Sequence, residues 1–231
     1  MYQRKSALIA GTSLIIMALA AFFSYGFVHE GLVVQGDASA TFNNIKSSNM
    51  LFKAEIFGWV IILITDIVAA WAFYIFLKPI NKSLSLLGAW LRLIYATILG
   101  ISILNLIFVL LLSKSTDYLS LFKIDQLQAH MMLFLEAFES IWSIGLIIFG
   151  GHLMIVGYLA FKSDRIPKVI SILLLLASIG YIVINLFNTV LSQYDAVISI
   201  LKMVFNVPMI AGELGLGIWM LFRGGKVPKG V

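Results

Sequence analysis

The chain has 231 residues, 61% of them hydrophobic and only 12% charged, with a mean hydropathy of +1.02. A water-soluble domain carries about 25% charged residues, so this chain lacks the polar surface to clothe a soluble fold of its size. The absence of cysteine excludes disulfides and thiolate chemistry. The formal charge of +5 is better explained by Lys and Arg gathering on one membrane face than by nucleic acid, for which no motif is present.

Arg4 and Lys5 precede an apolar run over residues 7–28. It resembles a signal peptide with a cleavage-like Ala18-Leu19-Ala20. The run continues past that triplet for about 22 residues in all, enough to cross ~30 Å of hydrocarbon, so an uncleaved first helix is expected. Residues 29–49 are polar and read as an exposed loop. Further spans are expected over about 51–77, 84–112, 131–161, 168–191 and 196–222. Lys78-Pro79-Ile80-Asn81-Lys82 is a tight turn, because Pro lacks the N–H of a helix interior. Pro167 suits a helix start, and Pro208 predicts a kink near Phe205.

These spans predict an all-α, polytopic membrane protein: a six-transmembrane-helix bundle forming a single domain over 1–231. Ten cations fall on one set of segments: Arg4, Lys5, Lys78, Lys82, Lys162, Arg165, Lys168, Arg223, Lys226 and Lys229. The other loops and their edges hold only Lys46, Lys53, Lys114, Lys123 and Lys202. The asymmetry predicts both termini cytoplasmic, in a bacterial cell membrane.

Ionisable groups at a bilayer centre cost roughly 2.5–3.5 kcal/mol each, so they face a protein interior or a wet cavity. Glu136, Glu139, Ser140 and Ser143 share one helix face, and the fourth span also carries His152. That span is therefore expected at the middle of the bundle. Counting from the cytoplasmic helix ends, Asp66, Arg92, His152 and Glu213 fall at one depth, ~15–18 Å in at 1.5 Å per residue. These four make a candidate midplane polar site. Arg92 stays charged and needs an acceptor, with Asp66 or Glu213 available. The site reads either as a path for an ion, solute or proton, or as a structural lock.

Glu136, Glu139, Asn105, Asn185 and Asn188, with Asn206 beside them, form a candidate outer polar layer. Two carboxylates one turn apart in low dielectric resist ionising together, which suits proton coupling. They could equally reach a wet vestibule, or be bonded by Asn105, Asn185 and Asn188. His29, Glu55 and His130 have the donor types of a metal site near the outer helix ends, but no local spacing signature. Solvated terminal side chains are the plainer reading, so neither metal nor cofactor is expected. Gly150-Gly151 and Gly212-Glu213-Leu214-Gly215 are small-residue patches suited to close helix packing.

Three stretches together resemble an uncharacterised bacterial membrane family, domain-of-unknown-function family 4386: LKPINKSLSLLGAWLRL at 77–93, FGGHLMIVGYLAFKSDRIPKVISILLLLASIGY at 149–181, and GELGLGIWMLFRGG at 212–225. The likeness is carried by Lys78, Pro79, Asn81, Arg92, His152, Gly157, Tyr158, Ser163, Ile166, Pro167, Gly180, Tyr181, Glu213 and Trp219. It implies a small multi-pass membrane protein and brings no activity with it. The leading functional expectation is transport or sensing of a small solute or ion, with no catalytic residues. The alternative is an accessory or scaffold protein docking another membrane protein. An intramembrane hydrolase using Ser143, His152 or Glu139 comes third.

Overall fold

A computed structural model describes residues 2–114, 117–191 and 193–225. Lys226 and Lys229 of the basic tail, and Ser192 of the expected last turn, lie outside the described residues. Every described element is helical: α1 (Tyr2–Leu32), α2 (Ala38–Ser47), α3 (Asn49–Leu77), α4 (Lys82–Leu112), α5 (Ile124–Lys162), α6 (Lys168–Val190) and α7 (Asp195–Phe222). A short 3₁₀ turn, Asp117–Leu121, precedes α5. Six of these helices, all but α2, are long and apolar enough to cross a membrane.

Local chemistry sets the helix ends. Asn81 caps α4, its side-chain oxygen accepting from the Leu84 N–H at 3.0 Å. Asp37 does the same for α2 through Ala40. That capped helix lies inside the stretch expected to be loop. Its buried Thr41, Phe42 and Ile45 share one face, and it packs on α5 and α3, so residues 29–49 form a folded cap rather than an open loop. α1 also outruns the expected end at residue 28, continuing through a π-helical stretch, Phe22–His29, to Leu32. Pro208 lies within α7.

The six spans form a closed ring in chain order: α1 against α3, α3 against α4, then α5, α6 and α7 in turn, with α7 closing on α1. The fourth span, α5, is thus one stave of the ring and not its hub, contrary to expectation. Its main helix neighbours are α4 and α6. It reaches α1 and α3 across the middle through bulky rings: Trp142 lies 4.9 Å from Trp59 and 5.3 Å from Tyr25, centroid to centroid. Aromatic side chains fill the interior that a central helix would have occupied.

Close seams alternate with this wide interior. A Cβ placed on Gly150 of α5 would sit 2.6 Å from Ile182 and 3.0 Å from the Ser178 carbonyl oxygen of α6. One on Gly11 of α1 would sit 2.8 Å from the Gly217 carbonyl oxygen of α7. Only glycine lets these backbones approach so closely. The α1–α7 seam is pinned at its end by Arg4, which donates to the carbonyls of Met220, Leu221 and Gly224 at 3.0, 2.6 and 2.8 Å. The two ends of the described chain therefore meet at the same end of the bundle as the Lys78–Lys82 and Lys162–Lys168 turns. The outward face is apolar: Phe57, Trp71, Ile101 and Val207 are among its exposed residues, as a lipid-contacting surface requires.

Candidate functional site

The tight turn between α3 and α4 makes them antiparallel neighbours, so residues about equally far from the turn stand level. Asp66 and Arg92 meet this condition, and their side chains pair at 2.7 Å. Arg92 is 1% exposed. Its other terminal nitrogen lies 3.0 Å from Nε2 of His152 on α5. Guanidinium only donates, so Nε2 accepts and the ring proton sits on Nδ1, which donates to the Gly88 carbonyl at 2.8 Å. Phe73 and Phe149 lie against the guanidinium, 5.6 and 5.2 Å from ring centre to Cζ. Met17 of α1 contributes its sulfur at 3.4 Å. One cation thus gathers side chains from α1, α3 and α5 around α4.

Glu213 stands apart from that trio. Its carboxylate accepts from the Tyr181 hydroxyl at 2.7 Å, and Asp66, not Glu213, neutralises Arg92. Phe149 links the two parts, standing edge-on to Tyr181 at 5.2 Å while it covers Arg92.

The outer layer is regrouped. Asn105 and Asn185 bond backward to carbonyls of their own helices, Ser102 and Tyr181, and the described structure gives neither a bond to Glu136 or Glu139. Glu136 is exposed, as is Asn206, and Asn188 is half-buried. Glu139 instead turns inward to His29, its Oε1 3.5 Å from Nε2. Glu55 of α3, 0% exposed, meets the other ring nitrogen, 2.7 Å from Nδ1. Tyr25 donates to Glu139 at 3.4 Å and Trp59 to Glu55 at 3.4 Å. The second carboxylate near Glu139 is thus Glu55, delivered through His29, and not Glu136. Three helices build this centre.

The π-helical stretch explains why His29 is inside. A π turn shifts register by one residue per turn relative to an α-helix, and such bulges gather at functional sites. Here Tyr25 and His29 stack at 5.4 Å with planes only 12° apart, on the inward face. Reading residues 29–49 as loop hid this. The signal present in the sequence was the four-residue Tyr25–His29 spacing, continuous with an apolar run. The aromatic residues Tyr95 and Phe149 were likewise missed, and Tyr181 was named only as carrying the family likeness, since aromatics in a membrane span signal nothing by themselves. Tyr95 joins the two centres, accepting from the Trp142 indole N–H at 3.3 Å while its ring packs on Phe149 at 4.8 Å.

Of the expected His29–Glu55–His130 set, His29 and Glu55 meet at 2.7 Å, but His130 does not join them. His130 is exposed, and its Nδ1 lies 2.6 Å from the Gln126 carbonyl of its own helix. Among the described residues no group of three or more His, Cys, Asp or Glu is placed to hold a metal. Nor does His152 serve a nucleophile: both its ring nitrogens are taken, by Arg92 and by Gly88.

Six apolar spans around a buried ion pair, with a lipid-compatible exterior, define a multi-pass integral membrane protein. The chain belongs to the family described as domain of unknown function (DUF4386), which matches residues 9–224. A protein from the archaeon Archaeoglobus fulgidus, described as an uncharacterized protein, is 30% identical over 175 residues, covering 76% of this chain and 86% of the relative. No solved structure matches the chain.

Proposed function

We propose that the protein senses or moves a small cationic solute or proton through the outer centre of His29, Glu55, Glu139 and Tyr25. The carrying observation is an imidazole bridging a fully buried carboxylate, Glu55, and one that is 44% exposed, Glu139. Both ring nitrogens can donate to these oxygens only when the ring carries two protons. Taking up or losing one proton, or admitting a competing cation to the carboxylates, therefore changes the bonding of both partners. Glu139 offers the entry and Glu55, whose Oε2 has no hydrogen-bond partner among the described residues, the inner acceptor. On this reading Asp66, Arg92 and His152 are the lock that holds the ring of helices, because aromatic packing leaves their charges dry. The protein works as a single membrane domain in the cell membrane, both termini cytoplasmic by its charge asymmetry. The dry midplane also suits the second reading, an accessory protein for a membrane partner.

Trp59 and Trp142 pack within the centre and report on it. The test is intrinsic fluorescence of detergent-purified protein, titrated with pH and with ammonium and alkali cations. The wild type is expected to show a transition that His29→Gln and Glu139→Gln both abolish without loss of fold. A transition unchanged in both variants, or absent from the wild type, overturns the reading. Liposome flux with an enclosed pH dye then separates movement from sensing.

A further inference from the structure

At the end of the bundle where Arg4 joins α1 to α7, a recess of about 950 Å³ opens between the helix ends. Its walls carry Lys162, Arg165 and Arg223 against a single acid, Asp164, with Gln3 and Trp219 beside them. Two neighbouring cations at this end are spent on the fold. Arg4 holds the α7 carbonyls, and the Lys168 ammonium donates to the carbonyls of Phe161 and Ser163. The Arg165 and Arg223 guanidiniums differ: among the described residues neither has a hydrogen bond or ion pair.

We infer that this recess binds a phosphate-bearing anion, specifically the headgroup of an anionic phospholipid. Two unspent guanidiniums, which suit phosphate in a bidentate fork, give the anion chemistry. Membrane depth selects the source. The recess sits where the ends of α1, α3, α5, α6 and α7 come together. Trp219, edge-on to Phe76 at 6.2 Å, forms part of its wall, and Phe222 on its rim is 67% exposed. An aromatic, apolar wall beside a basic mouth matches a lipid whose phosphate is held and whose chains run down the bundle. The site is independent of the outer centre and stands or falls separately.

The test uses full-length protein in detergent, with native mass spectrometry and thermal melting against phosphatidylglycerol, phosphatidylcholine and inorganic phosphate. Phosphatidylglycerol is expected to bind at least about tenfold tighter than phosphatidylcholine, as ~1.4 kcal/mol of added charge-assisted bonding would give. Arg165→Gln/Arg223→Gln should erase that preference. Arg165→Lys/Arg223→Lys should keep part of it, and guards against a folding defect in the first variant. Lys78→Gln/Lys82→Gln, at the same end but off the recess walls, should leave it intact. Equal binding of the two lipids, preference surviving in the Gln variant, or equal loss in the Lys78/Lys82 control overturns the site. Protection by inorganic phosphate without any phosphatidylglycerol preference overturns the lipid assignment.

Discussion

The Asp66–Arg92 pair offers a double-mutant cycle. Removing one member of a buried ion pair leaves an uncompensated charge and costs about 3–5 kcal/mol, whereas replacing both with apolar groups is often neutral or stabilising. Arg92→Met keeps most of the side-chain length between Phe73 and Phe149 but strips Asp66 of its 2.7 Å partner and His152 of its donor. Asp66→Leu strands the guanidinium, which cannot shed its charge. His152 is a neutral acceptor and relieves little of that cost. Each single variant is therefore expected to lose about 3–5 kcal/mol, and the double variant to regain most of it, with a coupling energy of at least ~2 kcal/mol. Unfolding titrations in mixed SDS and mild detergent, followed by helix circular dichroism, measure all four corners. If the losses simply add, the two side chains do not form the pair described. If Arg92→Met matches the wild type, the charge is not buried. The double variant should also keep the outer-centre fluorescence transition, because the midplane pair only holds the frame.

Two further outcomes follow from the packing and charge pattern. Gly150→Leu places a side chain where even a Cβ meets Ile182 and the Ser178 carbonyl. It should cost roughly 1–3 kcal/mol by overpacking, read by the same unfolding titration, while Gly151→Leu, whose Cβ has ordinary 3.5 Å clearance from Leu91, should cost less. The cysteine-free chain suits single-Cys topology mapping with an impermeant maleimide on intact cells. Asp37→Cys and Asp125→Cys should label, and Asn81→Cys and Asp164→Cys only after permeabilisation. The reverse pattern would refute the proposed orientation.

The six spans and the 2.7 Å Asp66–Arg92 pair were legible because both depend on one-dimensional counting. Hydrophobic length against bilayer thickness sets the spans, and equal distance from a tight turn sets the level of facing residues. The helical cap over residues 38–47 was partly signalled by Asp37 but obscured by its polar composition. Its buried face is only three residues wide, and it folds because α5 and α3 lie beneath it.

What only the tertiary structure decided is azimuth and partnership. Depth along a helix can be counted, but which way a side chain points around the ring depends on how neighbouring helices pack. Hence Glu213 went to Tyr181 rather than Arg92, and Glu136 went outside while Glu139 went inside. His29 came into the core at the end of a π-helical stretch of α1. Composition and periodicity determined that this chain has six helices long and apolar enough to cross a membrane, with ionisable groups among them. The closing of six spans into a ring, with glycine seams and an aromatic interior, determined which of those charges meet.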